Sequence, residues 1–188
     1  MRKISIAGAL AVCMIAAPAA ASIFVIGSDA GKQCYDAARN GSGSLDALQV
    51  CDQALAGGNL QRDERVATYV NRGIVKIHSG RYDAAIQDFD RAIAMDPSEP
   101  ESYLNKGSAL LRSEASPAEA KALFSEALQR DTRRPELAFF GRAIASELTG
   151  DLKSAYLDYK RAQEAAPRWR QPRRELSRFQ VKRASSSM

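Results

Sequence analysis

The sequence predicts an all-α fold, a stack of about four helix-turn-helix hairpins closed by a C-terminal capping helix. Three observations carry that prediction. In GRYDAAIQDFDRAIAMDP, Ala85, Phe89 and Ala92 form a small-x3-ring-x2-small pattern. It returns 35 residues on as Ala120, Phe124 and Ala127, and 35 further as Ala155, Tyr159 and Ala162. Around each copy apolar residues recur at threes and fours, the spacing of one helix face. Pro97 and Pro167 stand at equivalent stops, where proline cannot continue a helix. With 45% hydrophobic and 26% charged residues, the chain has the composition of an ordinary globular domain, which excludes wholesale disorder.

Residues 1–21, MRKISIAGALAVCMIAAPAAA, are built like a secretory signal. A positive start at Arg2 and Lys3 precedes an uncharged apolar run and a small-residue exit at Ala19, Ala20 and Ala21. Export to the periplasm with cleavage near Ala21 is the expectation. The alternative is an uncleaved inner-membrane anchor, because the uncharged run continues from Ser22 to Gly27 and is then long enough to span a bilayer.

The first hairpin, over 32–59, carries the weaker copy Ala47, Cys51 and Ala54 and lacks both rings. Cys34 and Cys51 remain once the signal is removed, and an even count in an exported chain suggests a disulfide. In an antiparallel hairpin, residues at equal height have a constant sum of numbers. Cys34 with Cys51 gives the same sum, 85, as Ala38 with Ala47, centred on the turn NGSGS. A metal site or a reactive pair is the alternative, but no histidine or third thiol stands nearby and the spacing is not CxxC.

The second hairpin, 66–97, pairs Val66, Tyr69, Val70, Gly73, Ile74 and Ile77 with Ala85, Ile86, Phe89, Ala92 and Ile93 across a break at His78–Arg81. Gly73, Ala85 and Ala92 are small so that the helices can approach, and Tyr69 and Phe89 fill the space beside them. The third, 100–132, offers Tyr103, Gly107, Leu110, Ala120, Phe124 and Ala127, with one extra residue in its turn and Thr132 in the place of the stop proline. The fourth, 136–167, offers Phe139, Ala143, Gly150, Ala155, Tyr159 and Ala162. A lone hairpin leaves an apolar face uncovered, so the units must stack.

The runs YVNRGIVKIHSGRYDAAIQDFDRAIAMDP, YLNKGSALL with AEAKALFSEALQRD, and FFGRAIASELTGDLKSAYLDYKRAQEAAP resemble the tetratricopeptide repeat family over residues 32–167. The resemblance implies a right-handed superhelical stack whose first helices line a concave face that binds a protein or peptide segment. On this chain the implied lining is Val70, Asn71, Ile74 and Ile77, then Leu104, Asn105 and Leu111, then Phe140, Ile144 and Leu148. That lining is mostly apolar, which points to a partner segment with apolar anchors, such as an amphipathic helix. Leu137 and Gly141 stand where the family's clamp for acidic chaperone tails requires basic residues, so the clamp is not carried over. Asn71 and Asn105 are suited to hold an extended ligand backbone, or else to bond a neighbouring helix.

Residues 168–188 form a basic segment with seven Lys or Arg and one acid, a net +6. Of the chain's +5, that tail and the two N-terminal cations together carry more than all, so the body is left at −3 and no nucleic-acid partner is indicated. Trp169, Leu176 and Phe179 are expected to lie against the last hairpin while Arg173, Arg174, Arg178, Lys182 and Arg183 face water, as in a capping helix. Contact of this tail with an anionic membrane surface is the second reading.

Nothing in the sequence predicts an enzyme, a cofactor or a metal. His78 is the single histidine and reads as a capping or surface residue; Asp83, Asp88 and Asp90 read as a solvated face. Two functions of different class follow: a non-enzymatic periplasmic interaction module, or an inner-membrane-tethered structural adaptor with a retained N-terminal helix.

Overall fold

A computed structural model describes residues 2–6, 21–23 and 29–183; the rest of the expected signal, within 1–21, lies outside the described residues. Four helical hairpins stack in sequence order: α1 (Asp29–Arg39) with α2 (Leu45–Ala56), α3 (Arg62–His78) with α4 (Tyr82–Met95), α5 (Pro100–Arg112) with α6 (Pro117–Gln129), and α7 (Pro135–Leu148) with α8 (Leu152–Ala165). A short helix α9 (Arg170–Leu176) follows. Strand β1 (Arg2–Ile6) then closes antiparallel on β2 (Phe179–Arg183), with Arg2 opposite Arg183 and Ile6 opposite Phe179. The expected units at 66–97 and 136–167 coincide with α3–α4 and α7–α8 to within a few residues, and the first hairpin starts three residues earlier than its expected 32.

The turns explain the repeat's punctuation. Gly80 and Gly150 hold φ of 74° and 81°, the left-handed conformation that ends α3 and α7 without cost to a side chain. In the third unit Glu114 takes that conformation instead (φ 56°), and the extra residue lets Ser116 cap α6 by accepting from Glu119 N–H. After α6 the stop is made without proline: Asp131 turns left-handed (φ 56°) and Thr132 N–H donates to Ala127 O at 3.0 Å.

Rings face glycines across the hairpins. A Cβ on Gly73 would lie 2.5 Å from the Phe89 ring, and one on Gly141 2.3 Å from that of Phe124. Phe124 also lies against Gly107 of its own hairpin partner, so a single ring fills the space between the third and fourth units.

In the first unit Cys34 and Cys51 are bonded, with sulfurs at 2.07 Å and both residues fully buried. The bridge occupies the level at which later units place a ring. Closing a loop of this size is worth about 3 kcal/mol on the chain-entropy estimate. Reduction is therefore expected to loosen residues 29–56 first, seen as faster amide exchange there while α5 to α8 stay protected, since stacked units feel chiefly their neighbours.

The acidic face expected on α4 is corrected at Asp88. Its side chain is fully buried and accepts from Arg72 Nε and Nη2 at 2.8 and 2.7 Å, Lys76 Nζ at 2.6 Å and Arg91 Nη1 at 3.1 Å. Arg72 reaches on to Asp52 of the first unit at 2.6 Å. The same device returns in the fourth unit, where Asp158 holds Arg142 and Arg161. The middle unit lacks it, having Lys106 and Leu123 at the positions of Arg72 and Asp88, and Lys106 pairs with Asp90 and Glu119 instead. Spacing alone could not separate a solvated carboxylate from one turned into the gap between paired helices.

Of the expected capping helix and tail over 168–188, the helix is α9, which stops at Leu176. Phe179–Arg183 alternates apolar and polar residues and is taken into the two-stranded sheet rather than a helix. Trp169 and Phe179 do cover the last hairpin: Trp169 lies 4.7 Å from Phe140 and Phe179 5.9 Å from Tyr159, ring centre to centre. Arg173 and Arg174 are exposed, but Arg178 turns inward and donates from Nη2 to both Glu147 oxygens at 2.7 and 2.8 Å. Tyr159 donates to the same carboxylate at 3.0 Å, and burial together with that negative charge pushes the phenol well above its ordinary pKa.

Candidate functional site: the concave face

Helices α3, α5 and α7 stand side by side because each is the first helix of its hairpin, and together they line one face of the stack. A hollow on that face is walled by Ile77 and His78 of α3, Leu104, Asn105, Ser108, Leu111 and Arg112 of α5, and Leu137, Phe140, Gly141 and Ile144 of α7. Of the expected lining residues, Ile77, Leu104, Asn105, Leu111, Phe140 and Ile144 meet here. Val70 and Ile74 do not; both are fully buried in the cluster around Cys34, Cys51 and Leu48. Leu148 stands apart, 46% exposed at the end of α7. Phe140 is only 5% exposed and stacks on Trp169 and Tyr159, so it belongs at least as much to the core as to the wall.

The rest of the face is crossed by a stretch of this chain. Ala21, Ser22 and Ile23 run extended over α5 and α3. Asn71, itself fully buried, accepts from Ile23 N–H through Oδ1 at 2.9 Å and donates from Nδ2 to Ile23 O at 2.6 Å. Asn105 donates to Ala21 O at 3.1 Å and to its own helix at Glu101 O at 2.8 Å. Ala21 and Ile23 turn in, 5% and 9% exposed, while Ser22 is only half-buried, the alternation of a strand. Both asparagines thus hold a backbone that belongs to this chain, and the second bond of Asn105 goes to its own helix rather than to a neighbouring one.

One end of the hollow is cationic. Burial and then the nearby Arg112 charge lower the pKa of half-buried His78, so the imidazole is neutral at neutral pH and Arg112 carries the charge there. His78 also receives the first hairpin's turn: a Cβ on Gly43 would stand 2.6 Å from the His78 backbone. Among the described residues no three His, Cys, Asp or Glu side chains gather as a metal site, and no helix is long and apolar enough to cross a membrane.

The family model described as "Tetratricopeptide repeat" matches residues 70–135. Residues 70–135 are tetratricopeptide repeat sequence. Solved repeat domains similar to it include the first such domain of Spaghetti (RPAP3) bound to the HSP90 peptide SRMEEVD, 25% identical with a TM-score of 0.58 over 64% of this chain and 94% of that one. The second domain of human RPAP3 in complex with the HSP70 peptide SGPTIEEVD is 26% identical, with a TM-score of 0.58 over 62% and 96%. MamA, 18% identical, shares the fold over 80% of this chain and 82% of its own, with a TM-score of 0.64. No curated protein matches. In this tetratricopeptide array, the feature that sequence reasoning missed is the Ala21–Ile23 stretch. Its signal lay in the β-branched and aromatic run SIFVI, of which the structure describes Ser22 and Ile23.

Proposed function

We propose that this non-enzymatic interaction module binds an extended segment of a partner protein, with apolar anchors, on its concave face. The observation that carries this is the seating of Ile23: a buried amide side chain takes both the N–H and the C=O of one extended residue, which is how a backbone is recognised irrespective of its side chain. The peptide-bound repeat domains that resemble the chain support a peptide ligand. The expected amphipathic helix fits less well, because a helix has no free backbone groups to offer Asn71 and Asn105. We place the module in the periplasm, on the signal-like N-terminus and the buried Cys34–Cys51 bridge, which suits an oxidising compartment.

Peptides selected against the full chain from a random library test the reading. The winners should carry apolar anchors and lose at least about tenfold in affinity to Ile144→Asp, a half-buried wall position, but not to Leu157→Asp, exposed on α8. Both variants are checked for native circular dichroism. Affinity indifferent to Ile144→Asp, or lost with Leu157→Asp, would place binding elsewhere.

A further inference from the structure

We propose that the concave face reads a small-x-aliphatic tripeptide in extended form, that in the uncleaved chain Ala21-Ser22-Ile23 is its resident copy, and that a partner segment enters by displacing it. This rests on the concave-face reading above and adds to it a register and a competitor.

Three features of the site set that register. Asn71 is fully buried, and the hydrogen bonds of its side chain go to the Ile23 backbone at 2.9 and 2.6 Å. A buried amide must be satisfied, so the position beneath it demands one extended residue with both backbone groups free. Two residues before it, Asn105 donates to the carbonyl of Ala21. That distance along a strand brings the next side chain of the same face inward, and Ala21, a small residue, is buried in the cluster that holds Leu104 and Leu137. Ile23 in turn joins the cluster that holds Val66, Ala67 and Val70. The residue between is half-buried and its identity is free.

Only five residues of sequence separate Ile23 from the start of α1, so the resident copy is supplied at the high effective concentration of a short tether. A ligand that shares its seat binds with its affinity reduced by the fraction of molecules in which the seat is open.

The probe is a fluorescent peptide of this chain's own sequence from 19 to 25, AAASIFV, added to the full-length protein. Ile23→Pro removes the donated N–H and should free the seat. Binding of the probe is expected to tighten at least about tenfold in that variant relative to the unaltered chain. Replacing the isoleucine of the probe with aspartate should abolish binding to both. The Ile23 amide of the unaltered chain, followed by hydrogen exchange, should be protected. An Ile23 amide that exchanges freely overturns resident occupancy. Equal probe affinity for the two proteins overturns competition, and indifference to aspartate in the probe overturns the register. The library peptides separate this from the wider reading: if they remain sensitive to Ile144→Asp while Ile23 is unprotected, the concave face binds peptides and the resident copy does not exist.

Discussion

Asp88→Ala is expected to cost about 3–5 kcal/mol of stability, the price of leaving partly buried charges without their counter-ion. The carboxylate has no exposure, whereas Arg72 and Lys76 keep side-chain exposures of 13% and 17%, too little for water to replace it fully. The effect should exceed that of Asp90→Ala, whose carboxylate is 52% exposed and pairs with Lys106 at the surface. Urea midpoints of the two variants decide it. If Asp88→Ala and Asp90→Ala unfold together, the buried network contributes nothing special. Asp158→Ala should follow Asp88→Ala in kind, since it removes the same support from Arg142 and Arg161.

Phe124→Ala should cost about 3–5 kcal/mol as well, by a different route. The ring is 1% exposed, and it fills the space left by two glycines on two different helices, Gly107 and Gly141. Removing it leaves a cavity that neither glycine can collapse to close. The complementary change, Gly141→Ala, presses a methyl group into the ring and should cost about 1–3 kcal/mol. Combined with Phe124→Ala, however, it should be tolerated, because the methyl then enters the space the ring vacated. A double-mutant cycle in thermal unfolding reads this directly: additive costs would mean that the ring and the glycine do not share their space.

Local chemistry at a fixed spacing was legible in the sequence. Ala85, Phe89 and Ala92 and their copies announce helix contacts because each residue's size is itself the cause of its position. Cys34 and Cys51 could be paired by height because an antiparallel hairpin is a ruler with one free parameter, its centre. Asp88 was not legible: whether a carboxylate faces water or a neighbouring helix turns on a rotation of the helix that polar residues scarcely encode. Val70 and Ile74 were misplaced for a related reason, since residues of one apolar stripe divide between the open face and the contact with the preceding unit. The end of the capping helix depended on β1, a partner nearly the whole chain away, and no local window contains such a pairing.

The seating of Ala21–Ile23 also bears on the order of events in the life of the chain. A protease binds its substrate as an exposed, extended strand, and the Ala21–Ser22 peptide bond is extended but lies between two residues that the concave face has drawn in. In the folded chain that bond is thus held against the concave face rather than offered as a free strand. If export ends in cleavage after Ala21, maturation becomes a race between two receptors for the same few residues. The peptidase wins only while the repeats are still unfolded, and the molecules it loses keep their leader.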